Sequence, residues 1–481
     1  MADSPLDAVV VGSGPNGLAA AVALARAGYR VTVLEAAEQV GGGTRTAELT
    51  VPGVRHDVCS AIHPFGVSSP NLSSLPLAEH GLVWRWPEVD AAHPLDDGTA
   101  GVLLRSLDET AAGLGADGPR WRRTFGPLAR DFDTLAPDVL GPVLRMPDHP
   151  LGMARFGLRA ALPATVFGRR FRTEQARALF AGCAAHVYRP LDRPATAAVG
   201  TMLIAAGHRH GWPVAEGGSH AITLALAGLL RSLGGTIETG VRVRSLADLP
   251  AARVTMFDTS PQALAEIAGD RLPRLRRRSY RRWAYGPGAY KVDLAVRGGI
   301  PWTNADCRRA GTVHLGGTAA EVTRAEAAVG RGEMPERPFV LVGQQYLCDP
   351  TRSVGDIHPV WAYAHVPAAY TGDATEAVLD QIERFAPGVR ERIVATHVMT
   401  PADYEDYNAN YVGGDIATGA NTVRQLVARP GLRADNYATG IPGMYLCSAA
   451  TPPGAGVHGM CGYRAAQRAL AYLDRTGRPL S

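Results

Sequence analysis

Near the start of the chain, Gly12-Ser13-Gly14-Pro15-Asn16-Gly17 forms a G-x-G-x-x-G pattern, and Glu35 stands eighteen residues past its last glycine. This spacing suits a dinucleotide. The first glycine permits a tight turn, the second lets backbone approach a pyrophosphate, and the third lets a helix pack closely on a strand. N–H groups at the helix start then face the anion, and the acid accepts from a ribose hydroxyl. Late in the chain, the run Ser448-Ala449-Ala450-Thr451-Pro452-Pro453-Gly454-Ala455-Gly456-Val457-His458-Gly459 offers a second small-residue loop. Three side chains have the chemistry to move protons. Lys291 is the single lysine among 49 basic side chains. A lysine in an apolar cavity loses charge readily and can then act as a base or hold a water. His458 lies inside the second loop and His63 lies in Ser60-Ala61-Ile62-His63-Pro64-Phe65; imidazole titrates in the range that proton transfer needs. Each has a structural alternative: a Lys291–Asp293 surface pair, or histidines bonded to backbone. His56 and Asp57 read as a surface or capping pair.

The elements that must position these groups follow from local pattern. Asp7 to Gly12 reads as a short buried strand, Leu18 to Ala27 as an alanine-rich helix closed by Gly28, and Arg30 to Glu35 as a second strand. Strand, glycines, helix, strand and acid in that order are the context the motif requires. Residues 440–447 read as a turn and buried strand, followed by a helix from Met460 to Leu473. Lys291 falls on the strand-like run Tyr290 to Val296, with Asp293 on its face and Tyr290, Val292 and Leu294 on the other. Further strand-like runs are Phe339 to Val342 and Val360 to Val366, whereas residues 66–204 are helix-rich in pattern.

Six residues past Glu35, Gly41-Gly42-Gly43-Thr44-Arg45-Thr46 adds a second glycine cluster. It resembles the E-x5-G-G-R-x-x-T signature of the flavoprotein superfamily that contains amine oxidases and phytoene desaturases. The loop from Ser448 to Gly459 resembles the C-terminal FAD motif of the phytoene desaturase family. The strand read over 235–243 resembles that family's adenine-contacting segment, and 212–220 resembles the loop before it. Residues 285–293 and 411–415 resemble the branch typified by pyridine nucleotide-disulfide oxidoreductase domain-containing protein 2. The likeness runs along the whole chain, with three departures, the first that Arg244 to Arg253 is too short for much of the hairpin the family usually inserts after Val243. Gly43 stands where the signature has arginine, so Arg45 is expected to take over its phosphate or flavin contact. Ser448-Ala449-Ala450 replaces the usual G-x-G.

The resemblance implies an α/β fold: a Rossmann-type FAD-binding domain (1–65, 205–265 and 415–481) with an inserted mixed α+β substrate domain (66–204 and 266–414). It implies FAD as cofactor, with contacts from Gly12 to Gly17, Glu35 and Ala36, Gly42 to Arg45, Val243, Ser448, Ala449, Val457 and His458. It implies dehydrogenation of an organic, isoprenoid- or carotenoid-like substrate by hydride transfer to flavin N5. Lys291, His458 and His63 are the candidates for handling the accompanying proton. Since no second G-x-G-x-x-G follows a strand, reoxidation is expected from oxygen or a quinone. The alternatives are a flavin amine or imine oxidase and a non-catalytic lipid- or protein-binding escort. Intact glycines and Glu35 speak against the escort.

Composition narrows the rest. With 46% hydrophobic and 20% charged residues the chain is ordinary globular sequence. A net charge of +4 is too small for a nucleic-acid binder, and the resemblance implies a small, apolar molecule as partner. Six cysteines with no CxxC or zinc spacing give no metal site and suit a reduced compartment. Met1 to Asp7 shows no leader pattern, and no apolar run reaches the length of a membrane span; a cytoplasmic location is expected. From Arg145 to Phe180 seven arginines face two acids, interleaved with Phe156, Leu158, Leu162, Val166, Phe167 and Phe171. This reads as a solvated helical face with its aromatics in the core, with peripheral contact at the inner membrane face as the alternative. A second run, Arg271 to Arg282, carries seven more arginines. The sequence sets no oligomeric state.

Overall fold

A computed structural model of the chain describes residues 6–433 and 435–477. Residues 1–5, part of the stretch read for a leader, lie outside them. Strand β1 (Leu6–Val11), helix α1 (Pro15–Arg26) and strand β2 (Val31–Leu34) open the fold. Strands β3 (Val89–Pro94) and β4 (Ala100–Leu103) form a hairpin. Helix α2 (His220–Ser232) leads to β5 (Thr236–Glu238) and β6 (Ala252–Phe257). Strands β7 (Gly288–Arg297), β8 (Ala310–Leu315), β9 (Val340–Gly343), β10 (Ile357–Val366) and β11 (Ile393–Met399) follow. Strand β12 (Met444–Leu446) and helix α3 (Met460–Arg475) close it.

Five strands pair in parallel in the order β12-β6-β1-β2-β5. Ala8, Val9 and Val10 are wholly buried, because helices cover both faces of such a sheet and its strands read as continuous apolar runs. Helix α1 packs against α3 and α2, and small residues set that closeness: a Cβ at Gly462 would collide with the Asn16 carbonyl. Seven strands form a mixed sheet in the order β11-β7-β10-β9-β8-β3-β4, parallel only at β8–β3. One face of β7 sends Tyr290, Val292, Leu294 and Val296 into an aliphatic core with Val313, Val340 and Val360. The other face carries Lys291 and Asp293.

Several local expectations shift. Helix α1 starts at Pro15 rather than Leu18, since proline's fixed φ and missing N–H suit a first turn. The strand read over 235–243 stops at Glu238; Gly240 turns with φ +73°, and Val241 N–H instead donates to Glu35 O at 2.8 Å. Residues 66–204 are not only helical, because the β3–β4 hairpin extends the mixed sheet. Among the aromatics of the basic run, Phe156, Phe167, Phe171 and Phe180 are core residues, whereas Leu158 and Val166 are exposed.

The pair His56–Asp57 is a clear correction: the two residues are 1% and 0% exposed, not on the surface. Asp57 accepts from Ser219 N at 2.7 Å, Thr46 Oγ1 at 2.9 Å and Arg352 Nη1 at 2.5 Å. It bolts three distant segments together, and Arg352 holds it below the usual carboxylate range against the upward push of burial.

Candidate active site

The glycine motif does what its spacing requires, and it does so around one residue outside it. Gly12 adopts φ +100°, and a Cβ there would lie 2.9 Å from the Asp258 carbonyl oxygen. A Cβ at Gly14 would lie 2.7 Å from Asp258 Oδ2, and one at Gly17 would collide with the Gly12 carbonyl. Asp258 follows directly on β6, and its Oδ2 accepts from Gly17 N at 2.9 Å. Ser13 and Asn16 are buried, with Asn16 Oδ1 unpartnered; Pro15 is partly buried.

Glu35 ends β2 with its carboxylate fully engaged. Oε2 accepts from Ser13 N at 2.8 Å and Ser13 Oγ at 2.5 Å; Oε1 accepts from Ala37 N at 2.9 Å and Arg45 Nη2 at 3.3 Å. Ala36 is exposed beside it. A ribose hydroxyl would exchange with one of these donors. Arg45, expected on a phosphate or flavin, instead pairs with Glu35, donates to Gln39 O at 3.0 Å and lies over the Tyr407 ring.

The second glycine cluster abuts the first backbone to backbone. Gly41 N–H donates to Ser13 O at 3.1 Å, and a Cβ at Gly42 would lie 3.0 Å from Gly14 Cα. Thr44 is wholly buried and donates to Gly41 O at 2.8 Å. Gly43 has a physical reason to lack a side chain, because the Tyr411 hydroxyl occupies that space.

At the other end, Ser448 O accepts from Thr451 N and Oγ1, and Ala449 O accepts from Arg429 Nη1 at 2.9 Å. Val457 is partly buried, and its carbonyl faces Gly66. His458 is 1% exposed; its Nδ1 accepts from Met460 N at 3.0 Å, capping the start of α3, and its Nε2 is unpartnered. Burial lowers its pKa to about 4. His63 is also lowered to about 4 by burial and hydrogen-bonds Ser219 Oγ at 2.7 Å. The two histidines meet the same turn, since Gly66 abuts His63 and Ser69 Oγ donates to His458 O. Val243 is buried with Val9, Val11 and Leu34 at the β1–β2 edge.

Lys291 sits apart from that turn, on β7, with no solvent exposure. It donates to Asp293, which is equally buried. The antiparallel register places Tyr363 and Met399 across from Lys291, and Trp361 and His397 across from Asp293. His56 Nδ1 lies 3.4 Å and His397 Nδ1 3.7 Å from the Asp293 carboxylate. Burial pushes Asp293 up, but Lys291 and the two histidines outweigh it and hold the group well below the usual carboxylate range. This face packs on the segment after the second glycine cluster: Trp361 Nε1 donates to Cys59 O at 3.0 Å, and Tyr404 lies against Val58. Tyr188, Tyr363, Tyr404 and Tyr411 join the same apolar cluster. Beside it opens a groove of about 390 Å³ lined by Arg45, Val58, His397, Met399 and Tyr407.

Sequence reading missed Asp258, Arg429 and the Asp57–Arg352 bolt, and marked Tyr411 only as part of the 411–415 stretch. Only Asp258 carried a local signal, as an acid at the carboxyl end of an apolar strand, where open α/β sheets bind ligands. The residues present fit FAD. Two glycine turns meet at the carboxyl edge of a parallel sheet, with Asn16 Oδ1, His458 Nε2 and Arg429 Nε left unpartnered around them.

This fold and site define a two-sheet dinucleotide-dependent oxidoreductase class. Residues 10–75 match the NAD(P)-binding Rossmann-like domain family. The chain is 26% identical to pyridine nucleotide-disulfide oxidoreductase domain-containing protein 2 of Mus musculus, covering 96% of this chain and 92% of that protein. It is 27% identical to hydroxyneurosporene desaturase of Cereibacter sphaeroides, covering 98% of each. A structure of putrescine oxidase with putrescine bound superposes with a TM-score of 0.62 at 20% identity, covering 98% of this chain and 99% of that one. These likenesses support an FAD-dependent oxidoreductase.

Proposed function

We propose that this FAD-dependent oxidoreductase dehydrogenates an apolar, isoprenoid-like organic substrate. Bound FAD supplies a hydride acceptor. The chain's own residues supply the rest. The α1 N-terminus and Arg429-backed loop hold the cofactor, and the tyrosine-rich cluster excludes water. Of Lys291's three N–H donors, the described contacts use one, on Asp293; the others are free to orient a substrate atom or a water. The observation that carries this reading is the chain's only lysine, wholly buried with Asp293 on the sheet face that packs against the segment after the second glycine cluster. His458 and His63, held neutral, act as positioning groups. Residues 1–65, 205–265 and 415–481 form the cofactor half in this reading, and 66–204 with 266–414 form the substrate half.

The test is anaerobic addition of a linear polyene, a retinoid, and cyclic or secondary amines to the flavin-loaded protein, followed at the visible flavin band. Bleaching by a polyene supports the reading. Bleaching only by amines replaces it with an amine oxidase. A protein that takes up no FAD turns it into an escort. Readmitting oxygen or a quinone then identifies the acceptor.

A second reading concerns location. No described helix is long and apolar enough to cross a membrane. Val143, Leu144, Met146, Leu151 and Leu158 are nevertheless 60–83% exposed, beside exposed Arg155, Arg169 and Arg172. Apolar side chains ringed by arginine suit the surface of an anionic bilayer, at its cytoplasmic face. Co-sedimentation with phosphatidylglycerol vesicles but not phosphatidylcholine vesicles, lost in Met146→Asp/Leu151→Asp, supports this; no sedimentation with either overturns it.

A further inference from the structure

All three glycines of the first motif pack on Asp258, whose carboxyl group occupies the start of helix α1. That is the place this motif gives to a pyrophosphate. Oδ2 accepts from Gly17 N at 2.9 Å and lies close above Gly14. No cation answers it, for among the described residues no ion pair reaches Asp258, and Arg45, the nearest arginine of the motif region, is spent on Glu35. An ionised Asp258 would therefore set one negative charge beside Glu35 and against two more on an incoming diphosphate.

We propose that Asp258 is a cofactor-site residue that must carry a proton for the diphosphate of FAD to bind, so that FAD uptake draws one proton from solvent. The inference rests on the FAD reading above. A protonated carboxyl keeps an acceptor for Gly17 N–H and gains an O–H to donate to a phosphate oxygen, so one group serves both the empty and the filled site. Its surroundings favour the neutral form. From the end of β2 faces the carboxylate of Glu35; the Cys447 thiol after β12 and the Cys461 thiol on α3 face it too, both pushed up by burial and uncharged; α1 offers only the N–H groups of Gly14 and Gly17. Asn410, whose Nδ2 lies 3.5 Å from the Asp258 carbonyl, is neutral. Burial and Glu35 together raise the Asp258 pKa to about 7, against the lowering pull of the glycine N–H groups.

The sign follows. Binding is strongest below that pKa and weakens as pH rises through it, by up to roughly tenfold per unit for one linked proton. The test is titration of the apoprotein with FAD between pH 6 and 9, read by flavin fluorescence, with calorimetry at pH 8.5 in two buffers of different ionisation enthalpy. Wild type should lose affinity by tenfold or more across the range and take up close to one proton per FAD at pH 8.5. Asp258→Asn, which keeps both hydrogen-bonding capacities, should bind FAD with a flat pH profile and no uptake. A flat wild-type profile without uptake overturns the proposal, and so does an Asp258→Asn variant with the wild-type slope. Should the variant fold poorly, the wild-type proton count decides alone. Failure to bind FAD at any pH is a different result, which removes the FAD reading itself.

Discussion

Replacing Lys291 with methionine conserves most of its volume and leaves Asp293 as a buried carboxylate without its ammonium. Both side chains have no solvent exposure, so solvent does not screen the loss. Removing one partner of such a pair costs about 3–5 kcal/mol. His56 at 3.4 Å and His397 at 3.7 Å remain to offset part of it, which places the expected cost near the low end, about 3 kcal/mol. Domains of this kind are stable by roughly 5–15 kcal/mol, so the variant should fold, with a visibly lower urea midpoint. In the wild type, the folded pKa of Asp293 lies below its unfolded value. Its contribution is therefore present at neutral pH and lost on acidification. Without Lys291, burial dominates and raises that pKa above the unfolded value, so the penalty is full at neutral pH and relieved as pH falls. The gap between wild type and variant should thus be wider at pH 8 than at pH 5. Lys291→Met/Asp293→Leu should recover most of the loss, because an apolar pair replaces an ionic one at little cost. The wild type should also resist amine-reactive labelling at Lys291 until unfolded. A cost below about 1 kcal/mol, equal at both pH values, would refute the buried pair and remove the observation on which the function rests.

Three further outcomes follow from the same geometry. Gly43→Arg, which restores the residue usual in the family signature, should destabilise by about 1–3 kcal/mol through collision with the Tyr411 hydroxyl, and Tyr411→Ala should relieve it in a thermal melt. Arg352→Met should cost about 3–5 kcal/mol by stranding Asp57 and Asp349. Since Asp57's folded pKa is depressed, its contribution is present above about pH 4 and lost in acid, so the gap in urea midpoint between wild type and variant should narrow as pH falls. With His63 and His458 both lowered to about 4, the rate of flavin reduction should show no histidine limb between pH 6 and 8; such a limb abolished by His458→Asn would show that His458 titrates during turnover.

The strand–helix–strand unit at the start of the parallel sheet was legible because its information is local. Gly12 to Gly17, the alanine helix and Glu35 lie within one strand–helix–strand unit, and turn chemistry and helix polarity act over a few residues. The alternation of Lys291 and Asp293 against Tyr290, Val292 and Leu294 was legible for the same reason, since it follows from the pleat alone. What the sequence hid are partners brought together only by folding. Asp258 meets Gly17 across 241 residues, and Arg352 reaches Asp57 across 295. The second pairing reverses a local inference. His56-Asp57 is polar and short, and polar pairs are exposed by default, yet a distant guanidinium makes burial tolerable. Arg45 follows a glycine cluster that resembles a phosphate contact, and folding also gives it Glu35 as a partner.

Long-range partners matter more at charges than at apolar contacts. An apolar side chain needs only enough neighbours, which periodicity predicts. A buried charge needs a particular partner, and its protonation state depends on whether that partner arrives. Lys291 found Asp293 two residues away, so its role could be framed from sequence. Among the described residues Asp258 meets only backbone N–H groups and the Glu35 carboxylate, with no cation in an ion pair, which makes it the residue we propose must be protonated when FAD binds.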